Sequence, residues 1–266
     1  MANEEVLFGA DALVALTKVD DESSDVGFSK FNVGTTYTVM IPNISKVEGE
    51  FKPAMMSFWG YGIYGTIDSF VAETPSKKSD KGYPVSELTP WDLAWKYHQD
   101  LSKKFQDTHS TAAQLYRVKH RYAMEFIDLN TGERIIIDVS KPQALVLYSA
   151  MLEYPEQLDT YAFKVSKAAK GVVSLIPILG KLTPEQQANK DAADVKGATT
   201  LTTSMLYKRD TDDMTRALVT AGFNLALIGL TPPPPKEGAE DAAEGDAPPA
   251  GANSGPIEIG EDELPF

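Results

Sequence analysis

The chain has 266 residues, 42% of them hydrophobic, and a mean hydropathy of −0.23, which suits one large domain or two small ones. No apolar run reaches the ~18–20 residues that a bilayer crossing takes, and the opening Met-Ala-Asn-Glu-Glu is acidic where a secretory signal is basic, so a cytoplasmic protein is expected. The absence of cysteine excludes disulfides, thiol nucleophiles and thiolate metal sites, and the net charge of −13 sits at the ends: −6 in residues 1–25, −8 in residues 231–266 and +1 between them.

Residues 1–30 read as an acidic N-terminal segment. Residues 31–42 alternate and are rich in β-formers (Tyr37, Val39, Ile41), which predicts a strand. Residues 55–71, aromatic and β-branched, predict a long bent strand or a hairpin. Thr89-Pro90-Trp91-Asp92 has the N-cap and first-turn proline of a helix start. Leu93, Tyr97, Leu101 and Phe105 then fall at helical spacing on one face, so a helix to about Phe105 is expected, with Trp91 and Trp95 as core or lid anchors.

Residues 115–129 and 134–139 flank Asn130-Thr131-Gly132-Glu133, the pattern of a hairpin. Pro142 opens a helix to about Tyr154. A second hairpin has arms at 161–166 and 172–179 and a basic tip at 167–171. Thr183-Pro184-Glu185-Gln186 is a capping-box start, and Thr211-Asp212-Asp213 caps a last helix to about Ile228. Pro232 to Pro235 continue neither a helix nor a central strand, and residues 236–256 hold no large apolar side chain. Residues 231–266 are therefore predicted to be a disordered acidic tail. About five strands in hairpins with a helix between them predict an α+β, mainly β fold. The expected form is a five-stranded Greek-key barrel of the OB type over residues 31–230, with accessory helices.

Residues 96–121 concentrate six bases against two acids, together with all three histidines, which is the charge footprint of a polyanion site. Arg117, Lys119 and Arg121 alternate, so in a strand they share one face, while Tyr116, Val118, Tyr122, Met124 and Phe126 take the other. A row of cations at that spacing suits a track of phosphates. Lys103 and Lys104 extend the basic stretch, and Lys164, Lys167 and Lys170 form a second one on the later hairpin.

Phe58, Trp59, Tyr61 and Tyr64 are interleaved with Gly60, Gly62 and Gly65. Exposed rings stack on bases of any sequence, and glycine beside a ring lets a nucleic-acid backbone come close. Trp59, Tyr61 and Tyr64 are the candidates for one or two outward platforms, with barrel core as the competing role for each ring.

Gly60-Tyr61-Gly62-Ile63-Tyr64-Gly65 formally matches a dinucleotide fingerprint, but it sits in a β-rich run where no helix opens. There is no H-E-x-x-H, no G-x-S-x-G and no paired carboxylate fixed by a motif, so no enzyme, cofactor or metal site is expected.

The end of the chain, Glu261-Asp262-Glu263-Leu264-Pro265-Phe266, resembles the acidic tip of bacterial and phage single-stranded DNA-binding proteins. In that family the terminal phenylalanine and its carboxylate dock in a basic-rimmed pocket on replication and repair proteins. Residues 31–42, and residues 163–171 with Ile176-Pro177, are similar to the opening strand and late basic hairpin of the OB-fold helix-destabilising proteins of large bacteriophages. The likeness spans roughly residues 30–180 by layout. Two departures are plain: the cysteine of the zinc subdomain found in some relatives is missing, and residues 1–25 are acidic where some relatives have a basic arm.

The resemblance implies a non-enzymatic protein that coats single-stranded DNA during phage replication, recombination or repair and recruits partners through residues 261–266. A strand-annealing recombination protein and a virion or scaffold interaction protein remain the alternatives.

Overall fold

The structure, a computed structural model, describes residues 28–42, 45–47, 50–63 and 66–234. The expectations for residues 1–27, for Tyr64 and for the acidic tail with its tip at 261–266 lie outside the described residues.

In chain order the first strands are β1 (Thr36–Met40), β2 (Ser45–Val47), β3 (Glu50–Lys52), β4 (Met55–Ile63), β5 (Ile67–Ala72), β6 (Lys77–Lys78) and β7 (Pro84–Ser86). Helices α1 (Pro90–Leu101) and α2 (Thr108–Tyr116) follow, then β8 (Lys119–Asp128), β9 (Arg134–Ser140) and α3 (Lys141–Leu152). The chain continues through β10 (Phe163–Lys167), β11 (Val173–Pro177), α4 (Pro184–Ala192), β12 (Lys208–Arg209) and α5 (Thr211–Thr220). The architecture is α+β, mainly β, with a mixed sheet and several helices.

The described residues divide into two compact units. The sheet unit holds the residues up to Phe58 together with Arg121–Met205. The inserted unit holds Trp59–His120 and the described residues from Leu206 onward.

In the sheet unit β8 pairs antiparallel with β9 and with β1; β1 pairs antiparallel with β10, and β10 with β11. Alternation sends Val39, Met124, Phe126, Ile137, Val139, Phe163, Val165 and Leu175 into one core, which α3 closes with Ala144, Leu147 and Met151. Ser140 stands at the start of α3, where its N–H donates to Gln143 Oε1 (3.0 Å), and Thr183 caps α4 in a reciprocal box with Gln186.

In the inserted unit β4 and β5 form an antiparallel hairpin, and β12 joins β5 in parallel. Its core gathers Tyr61, Phe70, Trp91, Trp95 and Tyr116 with Met214, Leu218 and Phe223 from the last helix and turn.

Three expectations need correction. First, α1 stops at Leu101, short of Phe105, and its buried face carries Trp91, Ala94 and Trp95, whereas Leu101 and Phe105 are exposed. The Asp107 carboxylate accepts from the backbone N–H groups of Lys103 (2.7 Å), Lys104 (3.1 Å) and Ser110 (2.7 Å), which ends one helix and caps the next.

Second, that cap starts α2, so residues 115 and 116 are helical and the hairpin arm begins only at Lys119. Third, the last helix breaks at Thr220. Gly222 there adopts φ +79°, the Phe223 N–H returns to the Leu218 carbonyl, and a separate 3₁₀ turn covers Leu225–Ile228.

Candidate nucleic-acid interface

In the sheet unit Lys164 and Lys170 are exposed. Lys164 lies opposite Thr38 on β1 and Ile176 on β11, on the face turned away from Phe163 and Val165. Lys170 (φ +59°) and Gly171 (φ +71°) take successive left-handed conformations at the tip of the β10–β11 hairpin. A lysine held there is strained, and it persists because bonds on either side of it fix the turn. The Lys167 N–H donates to the Thr35 carbonyl (3.0 Å), the Gly34 N–H donates to the Lys167 carbonyl (2.8 Å), and Gln143 Nε2 donates to the Gly171 carbonyl (2.8 Å). The tip is thereby fastened to the first turn of α3, where Lys141 is also exposed. Lys167 itself is 7% exposed, because its parity along β10 is the inward one. Phe58, at the end of this unit's first segment, meets Phe28 at 5.7 Å.

The predicted outward row of Arg117, Lys119 and Arg121 does not form. Arg117 is the C-cap of α2, outside the strand, and Lys119 and Arg121 are buried. The Arg121 guanidinium donates to Asp138 Oδ1 on β9 at 2.9 Å, so its charge is matched inside the sheet.

The same face of β8 carries Glu125, whose carboxylate accepts from Arg134 Nη1 (2.6 Å), Thr199 Oγ1 (2.7 Å) and Thr200 Oγ1 (2.8 Å). Arg134 also donates to the Ala198 and Asp194 carbonyls. Residues 194–200 thus cover that face around Glu125 and Arg134.

In the inserted unit Lys103 and Lys104 are exposed in the α1–α2 turn. Tyr61, a predicted platform, is 1% exposed and packs on Phe70 and Trp91. Its hydroxyl donates to the Asp92 carboxylate at 3.1 Å; burial first, and then the Asp92 charge, push that phenol well above its ordinary value. The correction has a simple cause: a ring directly behind Trp91, the buried start of α1, faces the core.

Trp59 is half-buried and its ring is already in use, lying parallel to His120 at 4.4 Å with Lys78 Nζ 5.0 Å from its centre. Gly62 serves the protein's own backbone, since a Cβ there would lie 3.2 Å from the Ile67 carbonyl oxygen across the hairpin. Trp91 and Trp95 are buried, and Trp91 Nε1 donates to the Met214 carbonyl at 3.0 Å.

His98 and His109 face each other, Nδ1 to Nδ1, at 3.0 Å. Burial, and then the His109 charge, lower the His98 pKa. Among the described residues no three His, Cys, Asp or Glu side chains converge as a metal-binding group, and no helix is long and apolar enough to cross a membrane.

One exposed ring escaped the sequence reading. Tyr83, on the β6–β7 hairpin, lies parallel to Trp95 at 5.9 Å, with the Arg117 guanidinium 5.5 Å from its centre. The legible signal was an aromatic residue in a lysine-rich turn, Lys77-Lys78-Ser79-Asp80-Lys81-Gly82-Tyr83. No protein-family model, no curated protein and no solved structure matches this chain.

Proposed function

We propose that the chain binds single-stranded DNA without strong sequence preference through an OB-type barrel in the sheet unit, and recruits replication or repair partners through residues 261–266. The carrying observation is the pairing pattern. With the β2–β3 hairpin and β4 set aside, β1, β8, β9, α3, β10 and β11 run strand–strand–strand–helix–strand–strand, with β8 pairing both β1 and β9. The fourth returns to pair with the first and the fifth. These four pairings are among those a five-stranded, partly open Greek-key barrel requires, which supports the reading.

In such barrels the loop between the fourth and fifth strands contacts oligonucleotides. On this reading the corresponding loop is the fastened Lys170–Gly171 tip. Because Arg121 is buried and residues 194–200 cover the sheet around Glu125 and Arg134, the exposed Lys164 and Lys170 favour a path along the β10–β11 hairpin.

The test is a titration of labelled oligo-dT with the full chain at several salt concentrations. Binding should weaken with salt along a line whose slope is about −0.7 for every phosphate that the protein neutralises. An absence of binding at low salt rejects the reading.

A further inference from the structure

We propose that the inserted unit carries an oxyanion subsite, with the Arg209 guanidinium as the recognition group and a small carboxylate as the ligand. This goes beyond the single-stranded DNA reading and does not depend on it.

Arg209 is half-buried, and its guanidinium carbon lies 5.0 Å from the centre of the Phe70 ring and 5.2 Å from that of Tyr207. Its Nε is buried and has no hydrogen-bond partner. Among the described residues the guanidinium meets no carboxylate and no other acceptor, and its two Nη groups are not enclosed as Nε is. The forked end therefore reaches the surface with its donors unused. Arg121, Arg134 and Arg216 behave otherwise, each donating to a carboxylate, of Asp138, Glu125 and Asp213 in turn.

A charge that has lost part of its water without gaining an acceptor costs stability, so other contacts must hold it in that state. Backbone and rings do so here. The Val71 N–H donates to the Tyr207 carbonyl (2.9 Å) and the Glu73 N–H to the Arg209 carbonyl (2.9 Å), which fixes the short β12 on β5. Phe70, 2% exposed, is itself packed on Tyr61 at 5.5 Å and Trp91 at 5.2 Å. Rings interact with the flat of a guanidinium and leave its edge, where the donors lie, to other partners. A fork held in this way binds a planar carboxylate through two parallel N–H···O contacts with little further loss of freedom.

The neighbouring acids do not fill that role. Asp210 Oδ1 accepts from the Asp213 N–H (2.7 Å) at the start of α5, and Asp213 Oδ1 accepts from Arg216 Nη2 (2.8 Å). The charges of the exposed Asp210 and Asp212 still shape the local field, which disfavours a doubly charged phosphate more than a singly charged carboxylate.

The experiment follows the Arg209 Nε–H resonance of the nitrogen-labelled full-length protein, identified by its loss in Arg209→Met and Arg209→Lys. Acetate and phosphate are titrated at constant ionic strength against chloride. Acetate should shift the resonance along a saturating curve with a midpoint in the millimolar range, and should raise the melting temperature above that in chloride. Phosphate should bind more weakly. Arg209→Lys keeps the charge but not the planar fork, so the rise in melting temperature should need about tenfold more acetate. Arg209→Met should not respond.

A shift that stays linear in acetate, or that chloride reproduces, overturns the subsite, and so does a parent-like response of the melting temperature in Arg209→Lys. Tighter binding of phosphate than of acetate overturns the carboxylate assignment. Titration of the parent with oligo-dT separates this proposal from the DNA reading. A shift of the same resonance that acetate reverses would make Arg209 part of the DNA path and remove the separate site. Binding that leaves the resonance in place supports both readings. A failure to bind oligo-dT rejects the barrel reading while the acetate result stands.

Discussion

Glu125 and Arg134 meet at 2.6 Å across β8 and β9, with the Glu125 side chain fully buried and Arg134 keeping 20% of its surface. Breaking one partner of a buried pair leaves a charge without compensation, which costs about 3–5 kcal/mol. Arg134→Met should therefore lower the unfolding free energy measured in urea by about that amount. Glu125→Gln combined with Arg134→Met should be more stable than the sum of the single changes implies. Additive losses would mean that the two charges act separately.

Tyr61 links a core ring to a buried carboxylate. Tyr61→Phe removes the hydroxyl donor to Asp92 and should cost about 1–3 kcal/mol, whereas Tyr61→Ala should cost about 3–5 kcal/mol by opening a cavity. Chemical denaturation measures both, and a Tyr61→Phe protein as stable as the parent would show that Asp92 does not need this donor.

Lys164 and Lys170 should behave unlike Arg121. Replacing both lysines with alanine should leave thermal stability unchanged and flatten the salt dependence of oligo-dT binding by about 0.7 for each phosphate no longer neutralised. Arg121→Ala should instead lower the melting temperature, because it strands Asp138 in the sheet. Parent-like salt dependence in the double lysine variant removes the β10–β11 hairpin from the DNA path.

The His98–His109 pair makes stability depend on pH. The His98 pKa is lowered in the folded protein, so the unfolded chain takes up its proton first as the pH falls. Its contribution is complete above the ordinary histidine value of 6.5 and is lost as the pH drops through the lower folded value. Melting temperatures measured from about pH 8 to about pH 5, across the histidine range, should fall less steeply for His98→Gln than for the parent. Equal slopes would exclude His98 as the source.

Residues 235–266 carry all the acidic side chains at that end of the chain, and acids compete with phosphates for lysines. Removing them should tighten oligo-dT binding, most of all at low salt. Deleting Phe266 alone should leave DNA affinity close to that of the parent and abolish capture of replication or repair partners. Weaker binding after truncation would rule out competition by the tail.

What the sequence made legible was mostly local. Thr89 with Asp92 and Thr183 with Gln186 complete their caps within four residues, so α1 and α4 could be read from short windows. The Asn130–Glu133 turn and the basic β10–β11 hairpin were legible for the same reason. The fate of the β8 cations was not, because their partners come from elsewhere: Asp138 from β9, and for Glu125 the hydroxyls of Thr199 and Thr200, more than seventy residues away. A row of alternating bases reads as outward only while the carboxylates that meet it remain unknown. Tyr61 and Tyr83 show the same limit in reverse, since the helix that buries one and the indole that backs the other are placed by tertiary packing.

The interleaving of the two units also bears on the order in which the chain folds. Val39 pairs with Asp128, about 90 residues later, so the first strand of the sheet unit gains its central neighbour only after a long loop has closed. Val71 waits still longer for Lys208, about 140 residues on. A nascent chain that has reached Met205 holds every residue of the sheet unit's cores, but it lacks Met214, Leu218 and Phe223, which complete the core around Trp91. During synthesis the unit that encloses the insertion is ready to fold first, and the insertion becomes complete only when β12 and α5 have emerged.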